Sequence, residues 1–468
     1  MNVKKATPQF GIKDKMGYLF GDFGNDFTFL LSSAFLLKFY TDVMHVRAGV
    51  VGIVMMMARF VDAFTDVTMG RICDRTKARP QGKFKPWILR MCAPVAISSF
   101  LIYQSAFAAS AMWFKILWLV ITYILWGSIF YTSINIPYGS MASTISPDVS
   151  DRQSLSTFRT MGSTLAGVIV GAGVPLVAYD TRIVNGVEIA EMNGRRFTLI
   201  AGVFSILAIL AYLLCYYMTT ERIIPDERAE VKKTSIKELI LGAIKNRALV
   251  SIIVASILML LSQFTLQQMA NYVYPDYYAN TTAQSASTVT MMVGMVIAAI
   301  LARPLTEKFG KAEISVGSNL LAAIVCLALF FIRPQSVWVY VGINVVCWLG
   351  LGIFAMVSWA LITDVIDYSE IKNGIREDGS IYAMYSFARK MGQAAAAGLT
   401  GLFLTIIGYE KISGIPLPDS VKKGIFDIST LVPAIGFILL AVVLWFWYPL
   451  HKKEVEQNVA FLKKKHHL

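Results

Sequence analysis

The chain has 468 residues, of which 56% are hydrophobic and 16% charged, with a formal net charge of +13 and a mean hydropathy of +0.58. An ordinary soluble domain is about 45–50% apolar and about 25% charged, so this balance excludes a disordered chain, a disulfide-stapled secreted domain and most soluble enzymes. The basic residues fall in short loops between apolar runs, which ties the positive charge to membrane topology and anionic headgroups rather than to nucleic acid.

Read along the chain, apolar runs long enough for one membrane crossing recur twelve times. They lie at roughly 18–41, 48–73, 88–108, 113–143, 158–179, 197–218, 248–271, 282–303, 313–332, 336–363, 380–408 and 428–449. No cleavable leader is expected before them, because the first run is too long for a signal h-region. Alternate connections are rich in Lys and Arg: Arg71 to Lys85, Arg222 to Arg247, Arg303 to Lys311, Lys372 to Arg376, and the tail from Lys452 to Lys465. The positive-inside rule then puts both termini in the cytoplasm, which requires an even number of spans. The expected fold is an all-α polytopic membrane protein with twelve transmembrane helices in two six-helix halves. The first half covers 1–218, a polar cytoplasmic linker 219–247, the second half 248–450, and a basic cytoplasmic tail 451–468. The short basic loops Gly70-Arg-Ile-Cys-Asp74-Arg75-Thr-Lys77 and Glu307-Lys308-Phe309-Gly310-Lys311 occupy equivalent places in the halves, as a duplicated transporter should show.

Charged groups inside these runs are functional candidates, since a carboxylate at mid-bilayer costs at least about 2.5 kcal/mol. The first span holds Asp22 and Asp26, and the second holds Arg59, Asp62 and Asp66. Asp62 and Asp66 are four residues apart, hence on one helical face, with Arg59 close to it. Their mutual repulsion calls for a bound cation, a shared proton or a basic partner. Na⁺ would accept their oxygens, with Thr65, Thr132 and Asn135 as available hydroxyl and amide types; a proton would sit on one carboxyl. The residues themselves do not separate the two. Asn135 stands two residues before Pro137, which would free backbone carbonyls at that depth. Arg159, Arg389 and Lys390 are membrane-depth bases that can balance the acids or meet an anionic sugar. Tyr131, Tyr138, Trp126, Trp348 and Trp359 lie deep enough to stack on sugar rings, although core packing is the leading reading for each of them.

Several chemistries find no residues. No G-x-x-x-x-G-K-[ST] loop is present, so no ATP-driven pump machinery is expected. The four histidines form no metal pattern, and no nucleophilic constellation can be nominated, so the chain is not expected to be an enzyme. The five cysteines show no C-x-x-C spacing and read as small buried apolar side chains.

A set of motifs then resembles one family. They are Gly21-Asp-Phe-Gly-Asn-Asp26, Phe39-Tyr-Thr-Asp-Val43, Arg59-Phe-Val-Asp62-Ala-Phe-Thr-Asp66, Gly82-Lys-Phe-Lys-Pro-Trp87 and Asn135-Ile-Pro-Tyr-Gly-Ser140. Later come Trp359-Ala-Leu-Ile-Thr-Asp364-Val-Ile-Asp367-Tyr368-Ser-Glu370, Gly374-Ile-Arg376-Glu377-Asp-Gly379 and Tyr385-Ser-Phe-Ala-Arg-Lys390-Met-Gly392. The set resembles the glycoside–pentoside–hexuronide:cation symporters of the major facilitator superfamily, closer to the glucuronide-carrier branch than to the melibiose permease.

The resemblance implies alternating-access symport of a sugar or glycoside with Na⁺ or H⁺, and no other cofactor. Asp62 and Asp66 would bind the cation with Thr132 and Asn135. Substrate would meet Asp26, Asp22, Asn135, Tyr138, Arg159 and Lys390. Arg59, Asp364, Asp367, Tyr368, Glu370 and Arg376 would form the charge and gating network. The melibiose permease has an aspartate where this chain has Asn135, and an asparagine repels a carboxylate substrate less, which favours a hexuronide, glucuronide or pentoside over a galactoside. The expected home is a bacterial plasma (inner) membrane, the partners are sugar, monovalent cation and lipid, and a monomer suffices. A passive facilitator or a lipid carrier on the same fold are the rival readings; a membrane enzyme or receptor is disfavoured.

Overall fold

The computed structural model describes residues 9–77, 79–184, 186–223, 246–373 and 378–465. The chain forms two compact units. The first contains the described residues up to Ile223 together with Glu410–Ile415; the second contains the rest.

In the first unit six long helices follow one another: α1 (Ile12–Asp42), α2 (Ala48–Arg75), α3 (Lys85–Ile102), α4 (Met112–Ile145), α5 (Val149–Val168, continued through Ile169–Gly173 and Val174–Ala178) and α6 (Gly194–Met218). The second unit repeats the count: α7 (Arg247–Tyr272, prolonged by Val273–Tyr277), α8 (Thr281–Phe309), α9 (Lys311–Ile332), α10 (Val337–Asn373), α11 (Asp378–Ile406) and α12 (Asp419–Val442, prolonged by Val443–Trp447). A short α13 (Lys452–Lys465) follows. Among the described residues, ten of the twelve long helices hold an apolar stretch long enough to cross a membrane. The other two, α1 and α11, are as long, at 31 and 29 residues, but more polar. They carry Asp22, Asn25 and Asp26, and Arg389 and Lys390, so the less apolar helices are ones that bear candidate site residues.

Most helices outrun their apolar cores. The fifth begins at Val149 rather than near 158, because Asp148 caps it by accepting from the Ser150 amide at 2.8 Å. The eighth runs on to Phe309 through a polar turn in which Arg303 donates to Glu307 at 2.9 Å. Gly310, at φ +104°, then reverses the chain into α9, a conformation that a side chain would strain.

The connection 180–196, which mixes both signs of charge, holds a hairpin. Strand β1 (Tyr179–Val184) pairs antiparallel with β2 (Val187–Met192), with Arg182 opposite Ile189 and Asp180 opposite Glu191. Its turn uses Gly186 at φ +78°. The segment Glu410–Ile415 seats on this hairpin: Lys411 Nζ donates to the Ala190 carbonyl at 3.3 Å, and Ser413 Oγ and the Gly414 amide donate to Glu191 at 3.1 and 2.5 Å. Of the expected linker 219–247, residues 224–245 lie outside the described residues.

Within the first unit α1 is the central helix, lying against both α5 and α6. Small residues permit the approach: a Cβ at Gly162 of α5 would strike the Leu19 carbonyl of α1, and one at Gly24 would press on Ala208 and Ala211 of α6. In the second unit Leu249, Met259, Phe354, Leu361, Tyr385 and Leu440 belong to one buried apolar core. All five cysteines are buried thiols.

Candidate functional site

Four helices of the first unit bring the intramembrane charges together as two ladders of equal construction. On α2, Asp62 and Asp66 are one turn apart; on α4, Ser128 and Thr132 have the same spacing. Ser128 Oγ donates to Asp62 Oδ1 at 2.5 Å and Thr132 Oγ1 to Asp66 Oδ1 at 3.0 Å. Arg59 Nη1 reaches the other oxygen of Asp62 at 3.4 Å and lies over the Phe29 ring. On α1, Asp22 and Asp26 repeat the four-residue spacing, and α5 answers with Arg159 and Ser163. Arg159 Nε donates to Asp22 Oδ1 at 2.9 Å, and Ser163 Oγ donates to Asp26 Oδ2.

The same register works in both pairs because helices crossing at shallow angles keep i and i+4 residues of one opposite i and i+4 residues of the other. Local structure sets where α4 faces: its backbone widens over Leu125–Tyr131, the stretch that holds Ser128 and ends next to Thr132. Such widened turns inside a helix frequently mark functional sites.

The remaining candidates fall around these ladders. Asn135 Oδ1 accepts from Asn25 Nδ2 at 3.5 Å, and Tyr212 donates to Asn25 Oδ1 at 2.8 Å, so an amide chain links α4, α1 and α6. Tyr138 stacks on Tyr18 with ring centroids 4.6 Å apart, and its hydroxyl donates to the Tyr18 carbonyl at 2.6 Å. Arg159 also lies over the Tyr138 ring. Thr65 turns away: its hydroxyl donates to the Val61 and Asp62 carbonyls of its own helix. Ser128 and Ser163 were not nominated from sequence. Serine is common in membrane helices, and only their four-residue spacing from Thr132 and Arg159 distinguishes them.

Lys390 and the Asp364 segment belong to the second unit. There Lys311 Nζ donates to Asp364 Oδ1 at 2.6 Å, joining α9 to α10. Tyr368 takes Lys372 over its ring, and Glu370 is buried. Asp367 and Lys390 each have an interaction partner. Arg389, next to Lys390, lies over the rings of Trp359 and Tyr385. Arg376 lies outside the described residues.

Membrane-length helices in two sets of six among the described residues, with paired intramembrane carboxylates held by hydroxyl and guanidinium donors in one set, are the architecture of a membrane carrier. The sequence pattern of the MFS/sugar transport protein family matches residues 17–452, and the chain belongs to that family. It is similar to the inner membrane symporter YicJ of Escherichia coli, at 30% identity over 97% of this chain and 96% of that one. It is also similar to the glucuronide carrier protein homolog of Escherichia coli, at 29% identity over 95% of this chain and 94% of that one. Among solved structures, the D-xylose-proton symporter covers 94% of this chain and 97% of its own length, with a TM-score of 0.59 at 15% identity, a likeness of fold. The protein is therefore an integral membrane transporter of the major facilitator fold and not an enzyme.

Proposed function

We propose that this transporter carries a sugar or glycoside, of the hexuronide, glucuronide or pentoside class, in symport with Na⁺ or H⁺. The observation that carries the reading is the α2–α4 ladder. Two carboxylates one turn apart, each held by a hydroxyl donor, offer an oxygen-rich pair that a monovalent cation or a proton neutralises. In this reading Asp62 and Asp66 take the cation with Ser128 and Thr132 completing the oxygen set, and Asn135 lies one turn further on. Asp26 and Asp22 accept hydrogen bonds from sugar hydroxyls, while Arg159, whose guanidinium is bound to Asp22 through a single nitrogen, keeps donors for a substrate carboxylate. Tyr138 and Lys390 complete the substrate set. Arg59, Asp364, Asp367, Tyr368, Glu370 and Arg376 serve the charge and gating network. Cation binding removes the repulsion between Asp62 and Asp66, the loaded carrier changes its exposed face, and a monomer performs the cycle.

The names of the relatives support the reading, since one is a symporter and another a glucuronide carrier homolog. The test is uptake of labelled glucuronide, xyloside and galactoside into proteoliposomes under separately imposed Na⁺ and proton gradients. One gradient is expected to drive accumulation, and Asp62→Asn or Asp66→Asn is expected to reduce it to simple equilibration. Accumulation that survives in both variants rejects the cation assignment.

A further inference from the structure

Within the second unit, Arg247 is an exposed charge that the transport cycle does not use. It opens α7 and reaches the end of α12. Its Nε donates to the Trp447 carbonyl at 2.9 Å and its Nη2 to the Phe446 carbonyl at 3.1 Å. These carbonyls belong to the widened turn Val443–Trp447, where main-chain oxygens at a helix end lack helical partners. The two bonds fix the plane of the guanidinium, but carbonyls do not neutralise it. Arg303 and Lys311 of the same unit lie on Glu307 and Asp364, at 2.9 and 2.6 Å. Arg247 has no carboxylate partner among the described residues, and its Nη1 has no acceptor there. It also stands in the first turn of α7, where the helix dipole is already positive.

The surroundings are apolar. Ile435, Leu439, Val442 and Phe446 recur every three or four residues along α12 and its widened turn, and all are exposed, Phe446 at 73%. On a membrane-length helix such a stripe faces lipid. It ends at the carbonyls that hold Arg247. Trp445 and Trp447, both exposed, flank Phe446, and such amphipathic rings lie at headgroup depth. A fixed cation with spare N–H donors therefore stands at the head of an apolar track. A phospholipid has the matching order, phosphate first and acyl chain behind it. A zwitterionic headgroup brings its own cation to the phosphate, whereas an anionic one leaves the charge for the guanidinium.

We propose that Arg247, Trp445, Trp447 and the α12 stripe bind one anionic phospholipid, with its phosphate on the guanidinium and an acyl chain along Ile435 to Phe446. Arginine suits this role, since its planar fork meets phosphate oxygens through parallel N–H···O bonds. The lipid bridges the first and last membrane helices of the unit. The site is independent of which substrate the carrier moves.

The experiment is native mass spectrometry of the full-length protein, with phosphatidylglycerol, phosphatidylcholine and soluble glycerol phosphate as probes. Wild type is expected to bind the first phosphatidylglycerol about tenfold more tightly than phosphatidylcholine. Arg247→Gln is expected to remove that preference and Arg247→Lys to keep part of it. Arg303→Gln deletes the same charge from a residue already paired with Glu307 and is expected to leave the preference unchanged. Phe446→Ser keeps the cation and breaks the stripe, so it is expected to weaken phosphatidylglycerol binding, and it carries the test should Arg247→Gln fail to insert. Equal affinity of wild type for the two lipids overturns the site, as does a preference that Arg247→Gln or Phe446→Ser leaves intact. An equal loss in Arg303→Gln means diffuse attraction to a basic rim and also overturns it. Displacement of the lipid by glycerol phosphate replaces it with a site for soluble anions.

Discussion

Asp62 and Asp66 are one turn apart on α2, and both are held by hydroxyls of α4. Each takes a hydroxyl hydrogen, at 2.5 Å from Ser128 and 3.0 Å from Thr132, and Thr132 Oγ1 also lies 3.2 Å from the Gly127 carbonyl. A hydroxyl that donates to a carboxylate holds it in place while keeping its lone pairs for a cation. Hydrogen bonds to charged groups are worth about 1.5–3 kcal/mol, so Ser128→Ala is expected to lower apparent cation affinity about tenfold or more, since 1.4 kcal/mol is tenfold. Thr132→Ser, which retains the hydroxyl, should come near wild-type behaviour and Thr132→Val should not. The measurement is the cation concentration giving half-maximal uptake; equal values in Ser128→Ala and wild type would reject the ladder as a cation site. The carboxylates were legible in the sequence because a charge inside an apolar run has few structural excuses. The serines were not, because a hydroxyl in a membrane helix commonly bonds its own backbone, as Thr65 does here.

At the scale of elements, close helix approach and chain caps decide whether these ladders align. Gly162 places α5 against the Leu19 carbonyl, so Gly162→Ala must push α1 and α5 apart. Arg159 sits one turn before Gly162 and bonds Asp22 at 2.9 Å, a geometry that the added methyl cannot preserve. The expected outcome is loss of sugar binding by tenfold or more with the α2–α4 ladder undisturbed, so that cation protection of a cysteine placed on α2 persists. Simultaneous loss of both would instead mean that the whole first unit is disturbed. A second device seals the end of this unit. Glu221, just beyond α6, accepts from the Lys83, Phe84 and Lys85 amides at 3.0, 2.9 and 2.7 Å and from Thr144 Oγ1 at 3.0 Å. The carboxylate thus caps the start of α3, where backbone N–H groups lack helical partners and favour a negative charge. Glu221→Ala is expected to destabilise the unit by about 2–3 kcal/mol, read as a lower midpoint of thermal unfolding, with Glu221→Gln intermediate. No sequence rule finds this contact, since three of its partners are main-chain amides more than a hundred positions away and the fourth, the Thr144 hydroxyl, is 77 positions away.

For the whole molecule, the number of long helices and their order were readable from hydrophobic run length, because the bilayer imposes one length on every span. The hairpin of β1 and β2 was not, since charged residues alternate with its apolar ones and resemble a loop; nor was the grouping of Glu410–Ile415 with the first unit, which depends on Glu191 accepting from distant backbone. The substrate class is the part that the sequence and the fold reach least, and electrical measurement reaches it directly. With one cation per sugar, a neutral glycoside carries one net charge through the membrane. An elementary charge crossing 100 mV gains about 2.3 kcal/mol, which corresponds to about a 40-fold change in accumulation, given 1.4 kcal/mol per tenfold. A hexuronide anion taken with one cation moves no net charge, so the potential has nothing to act on and only the chemical gradients drive uptake. Asn135 in place of an acid, and Arg159 with donors beyond its single bond to Asp22, favour the second case. Uptake into proteoliposomes is therefore expected to respond to the coupling-ion gradient and to be insensitive to a potassium diffusion potential set by valinomycin. A steep rise with inside-negative potential would replace the hexuronide by a neutral glycoside while leaving symport intact, and indifference to both forces would remove the coupling itself.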